Sequence, residues 1–117
     1  MVNAFVKDFG PEFKALKKRK PNFKKPKKLS SSAKNYLKSC ALYTKWYPKD
    51  KKRVKSCEVG AADVYFFSGY KKKAVVQLKK VAMTYPDSKQ GRGSIELLIP
   101  LIKDDKKELA LVTTQLL

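Results

Sequence analysis

Between Lys14 and Lys28 the chain reads KALKKRKPNFKKPKK, nine cations, no acid and two prolines. Such a stretch cannot bury enough apolar surface to offset the entropy of ordering it. It reads as an arm, extended or disordered when free and ordered by a partner. The sequence therefore divides into a basic N-terminal arm over residues 1–29 and a core over residues 30–117.

Charge follows the same division. Residues 1–55 hold eighteen cations and three acids, whereas residues 56–117 hold ten cations and seven acids. The full 117 residues carry a formal net charge of +18. A compact domain does not need that imbalance and is weakened by its self-repulsion. Nucleic acid is the commonest partner for such a surplus, because neutralised phosphates release condensed counterions. Only Arg19, Arg53 and Arg92 are arginine among the 28 cations. Lysine is a point charge without the planar fork that reads base edges, which favours backbone attraction over sequence readout.

The core reads as one helix followed by strands. Ser30, Ser31 and Ser32 offer N-cap oxygens. Behind them Ala33, Tyr36, Leu37, Cys40, Tyr43 and Tyr47 fall on one helical face, with Pro48 marking the end. Pro11 reads as the first residue of an earlier helical turn bearing Phe13 and Leu16, after an apolar anchor of Phe5, Val6 and Phe9. Val59–Phe67 is small and aromatic, with Ser68-Gly69 at a tight turn, and Lys73–Tyr85 is rich in Val; both read as strands. Ile95, Leu97, Ile99 and Leu101 alternate, with Pro100 suggesting an edge or a bulge. Glu108–Leu117 supplies a last strand. The expected fold is α+β: an antiparallel sheet of about four strands, a small barrel or curved sheet of OB-like type, with one helix.

Four constellations carry the functional expectation. The first is the arm, where Lys14, Lys17, Lys18, Arg19, Lys20, Lys24, Lys25, Lys27 and Lys28 form an electrostatic clamp. The second interleaves aromatics and cations from Tyr43 to Arg53, the pattern of a single-strand stacking platform. In it Tyr43 and Tyr47 are expected to pack in the core, Trp46 is equally suited to either role, and Lys51, Lys52 and Arg53 hold phosphates. The third is a hairpin tip, Tyr70, Lys71, Lys72 and Lys73, below Tyr65 and Phe67 on one face and Val64 and Phe66 on the other. One of those faces is core and the other either a stacking surface or a dimer contact. The fourth is Arg92 between Gly91 and Gly93, a loop suited to close phosphate approach.

Other functions find little support. The chain contains no histidine, the usual general base and metal ligand. With only Cys40 and Cys57 besides, no catalytic site, metal or cofactor is expected. The two cysteines are expected to be buried, reduced thiols, with a single disulfide as the alternative. Lys7 and Asp8 interrupt any signal-like apolar run. The expected setting is therefore the cytoplasm, an infected cell or a nucleoprotein particle, without secretion. The leading expectation is a non-enzymatic, sequence-tolerant binder of single-stranded DNA or RNA, with a homo-oligomer possible. The alternative is a structural component of a nucleoprotein assembly, such as a ribosomal protein or a viral coat protein or nucleoprotein. A membrane-surface role is disfavoured by the prolines of the arm.

Overall fold

A computed structural model describes residues 2–107 and 109–110, with side chains from Phe9 onward. Five helices make up its elements: α1 (Val2–Lys18), α2 (Ser31–Trp46), α3 (Lys51–Ser68), α4 (Lys71–Thr84) and α5 (Lys89–Ile102). No strand is present among the described residues. The expected α+β, OB-like fold is thereby overturned.

Local chemistry sets the boundaries. The Ser30 hydroxyl accepts from the Ala33 N–H at 3.1 Å and caps α2. Tyr47, held out of helical geometry before Pro48, closes that helix as expected. Asp50 caps α3 through the Arg53 N–H, and Ser88 caps α5 through the Gly91 N–H. At the end of α3, Gly69 takes a left-handed φ of 89°. Its N–H reaches the Phe66 carbonyl, and the Tyr70 N–H reaches that of Tyr65. A side chain at Gly69 would also strike the Asn22 carbonyl.

Helix α3 lies between two cores. On one side Phe9 and Leu16 of α1 and Ala33, Tyr36 and Cys40 of α2 meet Cys57 and Val64. On the other, Ala62 meets Ala74, Leu78 and Val81 of α4 and Leu98 and Ile102 of α5. The resulting body is flat, with extents of 40 × 35 × 20 Å. Cys40 and Cys57 are buried as expected, but they form a disulfide between α2 and α3 rather than free thiols.

Each misread strand has a physical cause. Val59–Phe67 lies in α3, which buries residues toward both cores and so shows no single apolar stripe. Lys73–Tyr85 contains most of α4, whose buried Ala74, Leu78, Val81 and Ala82 follow the helical i, i+4, i+7, i+8 rule. Its valine content reflects exposure as much as packing, since Val76 is 64% exposed. In α5 every residue from Ile95 to Ile102 except Glu96 is apolar, so the run satisfies both periods. The structure buries Gly91, Ser94, Leu98 and Ile102, one helical face.

Pro11, expected to open a helical turn, and Pro100, expected on a sheet edge or at a bulge, both lie inside helices, Pro11 in α1 and Pro100 in α5. Each removes a hydrogen-bond donor from its helix. The expected strand over Glu108–Leu117 lies outside the described residues except at 109 and 110, which are helical. Of the apolar anchor, the side chains of Phe5 and Val6 also lie outside them, whereas Phe9 is fully buried.

Candidate nucleic-acid interface

The stretch expected to be an arm takes two forms. Lys14, Lys17 and Lys18 ride on the second half of α1, whose Phe9 and Leu16 are anchored in the first core. Residues 20–29 are non-helical, with a turn at 23–24, and form a strap over the α3–α4 turn. Asn22 folds the strap locally, its side-chain oxygen accepting from the Lys24 and Lys25 N–H groups at 3.0 and 3.2 Å. Phe23 sets its ring edge-on to Phe66 at 5.6 Å, and the Lys27 N–H donates to the Ser68 carbonyl at 2.7 Å. These contacts fix the backbone while Lys20, Lys24, Lys25, Lys27 and Lys28 stay exposed.

Directly beyond that turn stand Tyr70, Lys71, Lys72 and Lys73 at the start of α4. The three lysines are exposed, and the Lys73 ammonium lies 5.5 Å from the Tyr65 ring centre. Strap and α4 start therefore make one basic region at the C-terminal end of α3. The hairpin expected here does not exist. Val64 is buried, Tyr65 and Phe66 pack against the second core, and Phe67 packs against the first.

The aromatic–cationic segment splits as well. Tyr43 packs partly against the first core and donates to Asp50, which Arg53 approaches at 3.8 Å. That bond to the carboxylate raises the Tyr43 pKa and lowers that of Asp50. Tyr47, expected in the core, is 54% exposed and leans on Tyr43 with ring centres 4.9 Å apart. Trp46 is 61% exposed. The two rings stand at the end of α2, with exposed Lys51, Lys52 and Arg53 opening α3 just beyond.

Arg92 is exposed, but it lies in the first turn of α5 rather than in a glycine loop. Gly91 is needed there because a side chain would run into the Tyr85 carbonyl, a packing reason unrelated to phosphate.

Between α1 and α3 opens a cleft of about 580 Å³ that the sequence reading did not foresee. Lys14 and Lys17 line it from α1, Lys52 and Lys55 from α3, and Gln90 from the start of α5. Its wall is aromatic: Phe9 stacks on Tyr36 at 5.1 Å, and Phe13 meets Tyr36 edge-on at 5.8 Å. Gly60 makes room for the Tyr36 hydroxyl, where any side chain would collide. Burial, with the Asp63 charge adding to it, pushes the Tyr36 pKa up to about 12, so this hydroxyl stays protonated. Burial also raises the Asp63 carboxyl to about 6, against the pull of Lys17. The missed residues carry a signal once α3 is known to be helical. Lys52, Ser56, Val59 and Asp63 recur at i, i+4, i+7 and i+11.

Among the described residues no group of side chains could hold a metal ion, and no helix is long and apolar enough to cross a membrane. What the described residues define is a flat body of five helices with exposed lysines at both ends of α3. Comparison with protein-family models, with curated proteins and with solved structures finds no match.

Proposed function

We propose that this protein is a non-enzymatic nucleic-acid binder that engages phosphates without reading sequence. The observation carrying this reading is the surplus of eighteen cations, with every candidate cation except Arg19 exposed. Ten acids cannot neutralise twenty-eight cations within the fold, so the counter-charge comes from a polyanion. Strap and α4 lysines track the backbone, and the lysines beside α1 and at the start of α3 extend the track. Exposed Trp46 and Tyr47 stack on unpaired bases at roughly 1–3 kcal/mol each, which favours single strands. The sequence holds no histidine, the usual general base, which supports a role without catalysis.

A second reading, a structural component of a nucleoprotein particle, is favoured by the Cys40–Cys57 disulfide. Such bonds persist in virion-like or other oxidising settings better than in a reducing cytoplasm.

Trp46, the sole tryptophan, gives the test. Its fluorescence is titrated with single-stranded DNA, duplex DNA and duplex RNA at several salt concentrations. Quenching greatest with single strands supports stacking. Replacing Lys24, Lys25 and Lys27 by Gln then lowers the slope of log affinity against log salt by about 2. Equal binding to all polymers with Trp46 unchanged shifts the reading to the particle component. No binding to any polymer at low salt overturns both.

A further inference from the structure

We infer that the cleft between α1 and α3 is a binding site for a single nucleoside phosphate, its base against Phe13 and its phosphate among Lys14, Lys17 and Lys52. The inference rests on the nucleic-acid reading and assigns a ligand class to a cavity that phosphate tracking alone does not require.

Three features of the cavity fit that ligand together. Its volume of about 580 Å³ falls in the range of small-ligand pockets, which run from about 300 to 1,000 Å³. One wall is a ring cluster in which Phe9, Phe13 and Tyr36 contact one another at 5.1 to 5.8 Å; Phe9 and Tyr36 are buried behind it, and half-buried Phe13 is the ring that faces the cleft. A purine or pyrimidine face stacks on such a wall, whereas an inorganic anion gains nothing from it.

The polar groups are divided as a nucleotide needs. Lys14, Lys17 and Lys52 are exposed on both flanking helices, and the Lys17 ammonium, which lies 4.7 Å from the Phe13 ring centre, moves off that ring onto the phosphate when a base takes its place. Lys55, whose ammonium sits 5.2 Å from the Tyr85 ring centre, is partly committed elsewhere. Deeper in the cleft, the Asp63 carboxyl offers acceptor oxygens beside the Tyr36 hydroxyl. Burial raises its pKa, and the Lys17 charge opposes that rise. A carboxyl left open to accept beside an aromatic wall suits a base edge carrying N–H donors. Guanine presents two adjacent donors, adenine and cytosine an amino group, and uracil only a single ring N–H. A purely anionic ligand would be repelled by Asp63.

The experiment uses the full chain. GMP, AMP, CMP, UMP, guanosine and inorganic phosphate are titrated by calorimetry and by amide chemical shifts. One-to-one binding of GMP is expected, at least about tenfold tighter than guanosine or inorganic phosphate, with UMP the weakest nucleotide. Shifts centre on Ser56, Gly60 and Asp63. Ser56→Phe, at an exposed position on the cleft rim, fills the cavity and abolishes GMP binding. Polymer affinity in that variant falls by no more than about tenfold, because the strap and α4 lysines remain. Should Ser56→Phe lose its helical circular dichroism, Lys52→Glu at an exposed site serves instead.

A twelve-nucleotide strand added to the GMP complex separates the two sources of the ligand. Displacement of GMP means the cleft takes a nucleotide of the strand, and simultaneous binding means it takes a free one. Polymer binding without any GMP binding, or GMP binding no tighter than inorganic phosphate, overturns the inference and leaves the nucleic-acid reading intact. GMP binding without polymer binding sustains the cleft and overturns that reading.

Discussion

The two cores that share α3 are built to different standards. The α3–α4–α5 core is made of Ala, Leu, Val and Ile, and Leu78, Val81 and Leu98 are wholly enclosed. The α1–α2–α3 core relies on large rings, leaves a cleft of about 580 Å³ open at its edge, and is tied by a disulfide. Charge divides along the same line: residues 1–55 carry a surplus of fifteen cations and residues 56–117 a surplus of three. Repulsion and an open cavity both weaken the first half. The disulfide and the aromatic contacts offset that weakness. The enclosed aliphatic core of the second half supports the first half through the shared helix α3.

The largest expected effect breaks the support. Leu78→Ala removes an enclosed side chain from the aliphatic core and should cost about 2–5 kcal/mol, measured by denaturant unfolding. Phe13→Ala, although it deletes a larger side chain, should cost less, because that ring already borders open space. Equal losses would remove the distinction between the two cores. Leu78→Ala should leave oligonucleotide affinity unchanged for the folded fraction.

Next in size is the tie. Cys40 and Cys57 close a loop across a sequence separation of 17, and opening that loop should cost about 3 kcal/mol. The Cys40→Ser/Cys57→Ser double variant, compared with wild type by thermal melting, measures it. Hydrogen exchange should show the loss concentrated in α1 and α2, with the amides of α4 and α5 protected as before. Uniform loss of protection would mean that the two halves unfold as one unit and need no separate account.

The same contrast explains what was legible in the sequence. Helix α2 could be read because it has one buried face, a serine cap and a proline after its end. Helix α3 could not, since its neighbours cover it from two sides and its aromatic Tyr65-Phe66-Phe67 run matches strand preference. In α4 a helical stripe was present, but the β-branched Val75 and Val76 masked it. Tertiary packing overrode local preference at each of these positions. Of the candidate site, charge located the basic residues, because charge needs no register. The cleft stayed hidden because Lys14, Tyr36 and Asp63 are far apart in sequence and meet only when three helices do.

The smallest expected effect concerns the floor of that cleft and has an unusual sign. Asp63 has its pKa raised by burial from the model-peptide value of 3.8 to about 6. Between those values the folded protein binds more protons than the unfolded chain, so stability falls as pH rises through the window. The full favourable contribution is present below pH 4, and it is lost above pH 6. A shift of that size corresponds to roughly 3 kcal/mol, an upper bound for the effect of ionising the carboxyl. Asp63→Asn removes the ionisation but leaves a polar amide in the same place, so the net gain at pH 7.5 should be about 1 kcal/mol. Unfolding followed from pH 4 to pH 8 checks this, with the variant showing a flatter profile than wild type across pH 4–6. If Asp63→Asn were instead destabilising at pH 7.5, the carboxylate would be serving the fold of the first half, and its place in a ligand site would lose its physical basis.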